Sequence, residues 1–231
     1  MIRKYGKTVA IIVAHPDDET LWCGGTILSN PEWNTFIVCL CRGNDKERAH
    51  RFFKALNCYG SKGIMGEIDD GPQQRPIDEE ELNRAILHLL PPWHFDLLIT
   101  HSPCGEYTRH IRHEEISKAV IKLWHSGKLS ASELWTFAYE DNNKKYYPRP
   151  VGNADIFHTL SEIIWQKKYN IITKTYGFDR GSFEAETTPV SESFWKYKVP
   201  EEAMDDLLQY ECHLTTALNP GNREYGAKQK P

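Results

Sequence analysis

The stretch TVAIIVAHPDDET, residues 8–20, decides the fold of this 231-residue chain. Residues 8–14 form a continuous apolar run rich in β-branched side chains, which is typical of a strand buried on both faces of a parallel sheet. One imidazole and three carboxylates follow within five residues, and the apolar spacing of residues 21–28 suits a short packed helix. The pattern predicts a buried strand, a polar turn and a helix.

The same order of elements repeats along the chain. Strands are predicted at residues 35–41, 63–68, 95–101 and 134–139, and helices at residues 47–56, 78–90, 114–125 and 154–168. Strands that alternate with helices at this spacing predict an α/β fold with a mostly parallel sheet flanked by helices. The pattern loosens beyond Tyr139, so we expect an irregular α+β C-terminal portion over about 141–231, ending in a loose tail from about residue 219.

Composition indicates an ordinary globular chain, because 40% of the residues are hydrophobic and 26% are charged. We expect one domain over residues 1–231, with a core at about 8–140. The net charge of −4 argues against nucleic acid as a partner. No apolar run is long enough to cross a membrane and no leader is evident, which predicts a cytoplasmic protein without a membrane span. A homo-oligomer is compatible with the sequence.

The six cysteines include no CxxC pair. Cys39 and Cys41 fall on one face of a predicted strand, where two thiols could ligate a metal. Packing is the better interpretation, since free cysteine is among the most buried residue types.

The turn after the first strand carries the chemistry. A zinc hydrolase needs about three protein ligands, an open position for water and a general base that does not bind the metal. His15 and Asp18 could converge on one ion, while Asp17 points toward the bound water and takes its proton. The alternative is that these acids only cap the next helix, which fits Glu19 and Thr20 better than the rest.

A third ligand should follow another strand, because the carboxyl ends of parallel strands meet at one edge of the sheet. His110 and His113 come after the predicted strand at residues 95–101 and share one face of a helical turn. One could bind the metal while the other faces the substrate, and spacing alone does not decide which.

The segments AHPDDE at residues 14–19, GGT at 24–26 and GEY at 105–107, with the pair His110 and His113, resemble the PIG-L-like (LmbE-like) family of zinc-dependent N-deacetylases. This resemblance implies a Rossmann-like fold over about residues 8–140. It also implies roles for single residues: zinc ligands His15, Asp18 and His113; general base Asp17; oxyanion stabiliser His110; substrate contacts Arg48, Asp70 (to sugar hydroxyls) and Tyr107. We expect His110 to act as imidazolium, because a positive charge is worth most as negative charge develops on the oxyanion. The alternative for Tyr107 is an aromatic lid on the cleft rim.

The predicted function is removal of the acetyl group from a small N-acetylated amino sugar, a conjugate of the N-acetylglucosamine type, with Zn²⁺ as cofactor. Two alternatives stay in view. A binding module could hold a sugar or a metal in the same cleft without turnover. A nucleotide-binding Rossmann protein would share the strand order, but no GxGxxG follows the first strand.

Overall fold

The computed structural model describes the backbone of residues 6–217 and the side chains of residues 6–211. Its elements begin with an alternation of strands and helices. These are β1 (Thr8–Val13), α1 (Asp18–Ser29), β2 (Asn34–Cys41), α2 (Lys46–Tyr59), β3 (Lys62–Ile68), α3 (Glu79–Leu89), β4 (Leu97–Thr100), α4 (Ile111–His125) and β5 (Leu134–Phe137). The later elements are β6 (Tyr139–Glu140), β7 (Arg149–Pro150), β8 (Ile156–Thr159), α5 (Glu162–Asn170), a π-helical turn (Ile171–Thr175), α6 (Phe183–Thr187), β9 (Ser191–Tyr197) and α7 (Pro200–Ala217).

A seven-stranded sheet in the order β3-β2-β1-β4-β5-β9-β8 forms the centre of the molecule. The five strands from β3 to β5 are parallel, whereas β9 pairs antiparallel with β5 and β8 antiparallel with β9. Helices cover both faces, with Val120 and Leu207 in one buried cluster and Trp22 and Phe52 in the other. The predicted α/β fold with a mostly parallel sheet is confirmed.

The strand order reverses between β1 and β4. The chain runs outward from β1 through β2 to β3 and then returns to add β4 on the other side of β1. Open α/β sheets bind ligands in the crevice beyond the carboxyl ends of their strands, at the point where the order reverses. The residues that follow β1 and β4 are therefore brought together at this crevice.

The helix predicted at residues 154–168 is wrong in its first half. Residues 156–159 form β8, and α5 begins only at Glu162. Hydrogen bonding of β8 to β9 at the edge of the sheet outweighs local helix propensity there. The strand predicted at residues 134–139 is divided between β5 and β6, and the predicted tail from residue 219 lies outside the described residues.

The GGT segment packs the C-terminal portion against α1. Glu192 of β9 accepts hydrogen bonds from the backbone N–H groups of Gly25 (2.7 Å) and Thr26 (2.6 Å), and from Lys168 Nζ (2.7 Å). Glu192 and Lys168 are both fully buried, so each charge compensates the other. This segment is a close-packing site between α1, α5 and β9.

Gly25→Ala is expected to lower the free energy of unfolding by about 1–3 kcal/mol, because a methyl group there overpacks the core. A Cβ at Gly25 would lie 2.4 Å from both terminal carbons of Leu160 and 2.9 Å from Glu192 Oε1. Denaturant titration measures the change. Gly152→Ala is the control, since a Cβ at Gly152 would meet nothing within 4 Å. Equal stability of both variants and the parent would contradict the packing described for Gly25.

Candidate metal and catalytic site

Three side chains converge where β1 and α4 approach each other. His15 Nδ1 lies 3.2 Å from Asp18 Oδ2, and His113 Nε2 lies 3.3 Å from His15 Nδ1 and 3.4 Å from Asp18 Oδ2. His15 and Asp18 come from the turn after β1, and His113 comes from the first turn of α4. The structure thus brings together the three residues that were predicted to ligate a metal.

The spacing and chemistry of these atoms fit a divalent metal. A tetrahedral zinc site with bonds of about 2.0–2.1 Å places its ligand atoms about 3.3 Å apart. Two imidazole nitrogens and one carboxylate oxygen form a common set of three ligands for catalytic zinc, which leaves a fourth position for water. His110 offers a nitrogen within 4.8 Å of His15 and His113, and His101 offers one within 4.8 Å of Asp18 and His113, so both are competing ligands.

Glu106 fixes the orientation of His113. Its Oε2 lies 2.6 Å from His113 Nδ1 and 3.1 Å from His101 Nδ1, while its Oε1 accepts from the backbone N–H of Ser102 at 3.0 Å. With Nδ1–H donated to this carboxylate, the Nε2 lone pair of His113 faces Asp18 and His15. Carboxylates hold metal-binding imidazoles in this way and raise their basicity.

The Glu106 carboxylate and His101 form a buried support beneath the site. Burial alone would raise the pKa of Glu106, but electrostatic attraction to His101 and His113 and the hydrogen bonds with their rings lower that pKa to about 2. The His101 ring stacks on His113 at 3.9 Å, and its Nε2 accepts from the backbone N–H of Ala14 at 2.9 Å. Glu106 therefore stays ionised and joins the end of β1 to the end of β4 through His101.

Asp18 is held at both carboxylate oxygens. Its Oδ2 accepts from the backbone N–H of His15 at 2.8 Å, and its Oδ1 accepts from Trp22 Nε1 at 3.1 Å. The carboxylate is buried and its orientation is set by α1. A fixed orientation of this kind is what a rigid metal site requires.

Asp17 stands at the N-cap position of α1 without capping it. Its side chain makes no capping hydrogen bond, and its backbone φ is 134°, in the region that non-glycine residues rarely adopt. Burial first, and then the charge of Asp18, raise the pKa of Asp17 well above its usual range. Strain of this kind persists only where the surroundings enforce it and is concentrated at functional sites.

Two side chains hold Asp17 in place. Arg48 Nη2 lies 3.3 Å from Asp17 Oδ1, and Glu19 Oε2 accepts from the backbone N–H of Asp17 at 3.1 Å. Glu19 is fully buried and also accepts from Tyr176 of the C-terminal portion at 2.7 Å. Glu19 thus supports the strained turn, and Arg48 lies on Asp17 at the wall of the site cavity.

His110 and Tyr107 line the cavity on its other side. The His110 ring packs edge-on to His15 at 4.7 Å and stacks on His113 at 4.4 Å, and the Tyr107 ring packs edge-on to His110 at 5.9 Å. Burial first, and then the neighbouring His113 and His15, lower the pKa of His110 to about 3. The structure favours a neutral imidazole at His110 rather than the imidazolium that we expected from the sequence.

Asp70 contacts His15. Its Oδ1 lies 3.2 Å from His15 Nε2 and accepts from Gln74 Nε2 at 3.0 Å, and its Oδ2 accepts from Arg42 Nε at 2.8 Å. These partners lower the pKa of Asp70 well below its usual range, against the effect of burial, which alone would raise it. Both carboxylate oxygens of Asp70 already accept hydrogen bonds or contact His15. Few acceptor positions on this carboxylate are therefore free for the expected contact with sugar hydroxyls.

Sequence reasoning missed three supporting residues. Glu106 was seen only as part of the GEY segment, His101 only as the end of a strand, and Glu19 only as a helix-capping acid. The sequence feature that could have indicated Glu106 as the support of His113 is its place seven residues before that histidine. Cys39 and Cys41 are buried free thiols, which confirms packing as their interpretation.

The fold and the site define an α/β protein with a cluster of histidines and carboxylates in the crevice where the strand order reverses between β1 and β4. Residues 10–124 match the model of the PIG-L family, described as GlcNAc-PI de-N-acetylase. The chain belongs to this family.

The chain is similar to one curated protein in sequence and to two solved structures in fold. Uncharacterized protein L374 of Acanthamoeba polyphaga mimivirus is 23% identical over 191 residues, which cover 76% of this chain and 78% of that protein. N,N'-diacetylchitobiose deacetylase from Pyrococcus horikoshii is 17% identical with a TM-score of 0.62, covering 83% of this chain and 84% of that one. GalB, the 4-carboxy-2-hydroxymuconate hydratase from Pseudomonas putida KT2440, is 17% identical with a TM-score of 0.57. The match covers 82% of this chain and 95% of GalB. At these identities, the two solved structures establish a shared fold only.

Within the part of the chain that the structure describes, no helix is both long enough and apolar enough to span a membrane.

Proposed function

We propose that this protein is a metal-dependent N-deacetylase that removes the acetyl group from an N-acetylated amino sugar, a conjugate of the N-acetylglucosamine type. One observation carries the proposal: His15, Asp18 and His113 offer three ligand atoms at tetrahedral spacing, beside a buried aspartate that neither caps its helix nor joins the triangle. The description of the family and the name of the Pyrococcus horikoshii relative support the acetamido sugar as substrate.

The residues divide the work as follows. A bound zinc ion would polarise the amide carbonyl and lower the pKa of its water toward about 7. Asp17 takes the proton of the attacking water, and Arg48 holds its carboxylate toward the cavity. His110 donates an N–H to the oxygen that becomes negative as the carbonyl carbon turns tetrahedral. Asp17 then returns the proton to the departing sugar amine, and acetate leaves.

Fold alone does not select this reaction, since a hydratase shares the architecture. A binding module with the same cleft would have no use for a buried, strained carboxylate beside the proposed metal ligands. Products separate the three possibilities: deacetylation gives acetate and a free amine in equal amounts, hydration gives neither, and binding leaves the ligand intact.

The test is a screen of acetate release from N-acetylglucosamine conjugates by the purified protein. Activity should disappear after dialysis against a chelator and return when about one equivalent of Zn²⁺ per chain is added. An active protein whose rate is indifferent to the chelator, with its metal content shown to be zero, would contradict metal dependence.

We propose that Asp70 positions His15 as a metal ligand instead of binding the sugar. Asp70→Asn should weaken Zn²⁺ affinity by about 10-fold or more, the usual effect of removing a carboxylate that supports a ligand histidine. Competition titration with a chelating indicator measures the affinity. Asp69→Asn is the matched control, because the Asp69 side chain is exposed and accepts from the backbone N–H of Gly71. Unchanged Zn²⁺ affinity with a raised KM for the sugar would return Asp70 to the substrate-binding role.

A further inference from the structure

The strained backbone of Asp17 is held on both sides. Its φ of 134° is the torsion between the peptide group that precedes Asp17 and the one that follows it. The following peptide is fixed because its carbonyl oxygen accepts from the N–H of Leu21 at 2.8 Å. The preceding peptide is fixed twice: its N–H donates to Glu19 Oε2 at 3.1 Å, and its Pro16 carbonyl accepts from Arg48 Nη2 at 3.4 Å. The direction of the Asp17 side chain therefore depends on these contacts, since strain persists only where the surroundings enforce it.

Hydroxyl groups hold Glu19 in turn. Its Oε1 accepts from the hydroxyls of Thr20 and Tyr176, the latter at 2.7 Å, and the Thr20 hydroxyl accepts from Tyr59 Oη at 2.7 Å. Glu19 is fully buried, and buried carboxylate oxygens need hydrogen-bond partners. The donors on Oε1 fix the rotation of this carboxylate, which leaves Oε2 facing the N–H of Asp17.

Tyr176 owes its place to the π-helical turn, which continues α5 and ends directly before it. The N–H of Tyr176 donates to the carbonyl oxygen of Ile171 at 2.9 Å, five residues back instead of the four of an α-helix. The additional residue in the turn changes the direction in which the next side chain points. π-Helical turns are rare and are frequent at functional sites. This turn brings the Tyr176 hydroxyl to Glu19, 157 residues away in sequence.

Helix α2 holds both ends of this chain of hydrogen bonds. Arg48 Nη2 lies 3.3 Å from Asp17 Oδ1, and Arg51 donates to the backbone carbonyl oxygen of Tyr176. Arg48 and Arg51 are three residues apart and share one face of α2. Asp17 and Tyr176 are therefore fixed relative to the same helix, one through its carboxylate and the other through its backbone.

We propose that Tyr176 is a positioning residue for the reaction, and that it acts through Glu19 to hold the base Asp17 in its strained conformation. The proposal rests on the deacetylase function proposed above. Tyr176 is 3% exposed and does not line the catalytic cavity, so an effect on turnover has to pass through other residues. By this route the C-terminal portion of the chain holds a catalytic residue of the first turn.

Tyr176→Phe removes the hydroxyl and keeps the buried ring. We expect kcat to fall by about 10-fold, because Glu19 loses a donor and a base displaced by about 1 Å can lose roughly 100-fold in rate. KM and Zn²⁺ affinity should stay within about 2-fold of the parent, since the lost contact orients the base and binds neither substrate nor metal. Acetate release from the best conjugate of the screen above and competition titration with a chelating indicator measure these quantities.

Tyr197→Phe is the matched control. It also removes a buried tyrosine hydroxyl that donates to a carboxylate, in this case Asp206 Oδ2 at 3.1 Å. Tyr197 packs in the cluster on the other face of the sheet from Tyr176, so its variant should lose stability but keep the parental kcat. Parental kcat in Tyr176→Phe, equal losses of kcat in both variants, or a loss in Tyr176→Phe explained by weaker Zn²⁺ binding would overturn the proposal.

A double-mutant cycle tests the route through Glu19. Glu19→Gln keeps the shape of the side chain but leaves one oxygen for its donors, so kcat should fall by roughly 100-fold. Adding Tyr176→Phe to this variant should lower kcat by less than about 2-fold more, because both changes break the same chain of contacts. A further loss as large as that of Tyr176→Phe alone would show that Tyr176 acts independently of Glu19 and would contradict the proposed route.

Amide exchange of Asp17 separates this proposal from the deacetylase function, because it needs no turnover. By NMR, the Asp17 N–H should exchange with solvent about 10-fold faster in Tyr176→Phe than in the parent, and at the parental rate in Tyr197→Phe. This result supports the positioning of Asp17 even if no conjugate releases acetate, in which case the deacetylase function alone fails. Acetate release by the parent, with unchanged exchange of Asp17 in Tyr176→Phe, keeps the deacetylase and overturns the role of Tyr176.

Discussion

Asp17→Asn is expected to lower turnover by about 100-fold or more while metal content stays at the parental level. Asparagine keeps the size of the side chain and a hydrogen-bond acceptor for Arg48, but it cannot take a proton from water. The Asp17 side chain makes no capping hydrogen bond to α1. A loss of turnover in Asp17→Asn therefore reports on the lost base and not on a lost helix cap. Acetate release and elemental analysis on the same preparation measure both quantities.

A matched variant separates base chemistry from helix capping. Asp78 is also an N-cap aspartate, and its carboxylate accepts from the backbone N–H of Glu81 at 3.0 Å, as a true cap does. Asp78→Asn should leave both turnover and stability close to the parental values, since asparagine caps as well as aspartate. Parental turnover in Asp17→Asn, with metal bound, would reduce Asp17 to a structural acid and leave the proposed mechanism without its base.

His113→Ala is expected to abolish metal binding, because it removes one of three ligand atoms at tetrahedral spacing and leaves Glu106 buried without that partner. Elemental analysis after dialysis should find well under one metal ion per chain. Turnover should fall with the metal and should not return when Zn²⁺ is added at the concentration that saturates the parent.

His110→Ala is the companion variant, since His110 stands at the N-cap of α4 and His113 in its first turn. It should keep the metal and the KM but lower kcat by roughly 100-fold, because its contribution appears only as charge develops on the carbonyl oxygen. Loss of metal in His110→Ala together with full occupancy in His113→Ala would exchange the roles of the two histidines.

The fold was predictable over β1 to β5 because these strands are parallel, and β1, β2, β4 and β5 are buried apolar runs that the local pattern reveals. The edge strand β3 is only partly buried and has the weaker pattern. β8 and β9 were not predictable, since they join one side of the sheet in antiparallel pairing, with β9 between β5 and the edge strand β8, and this pairing depends on contacts far apart in sequence. Pairing of β9 with β5 extends the same sheet into the C-terminal portion. It supports the single-domain expectation, which stays a prediction.

The candidate site was predictable where the ligands follow strand ends. Spacing placed His15 and Asp18 in one turn, and only the resemblance to a family distinguished His113 from His110. The supports were not predictable, because Glu106 reaches His113 through a loop turned at Gly105, where φ is 71°, and Asp70 reaches His15 from the end of a different strand. Contacts of this kind depend on the folded backbone, and no periodicity in the sequence encodes them.

The most direct test of the account is the product balance of one N-acetylglucosamine conjugate turned over by the metal-loaded parent protein. The account predicts acetate and free amine in equal amounts, both abolished when a chelator removes the metal and both restored by Zn²⁺. Conversion of the conjugate without acetate, or binding without conversion in protein shown to carry about one metal per chain, would contradict it.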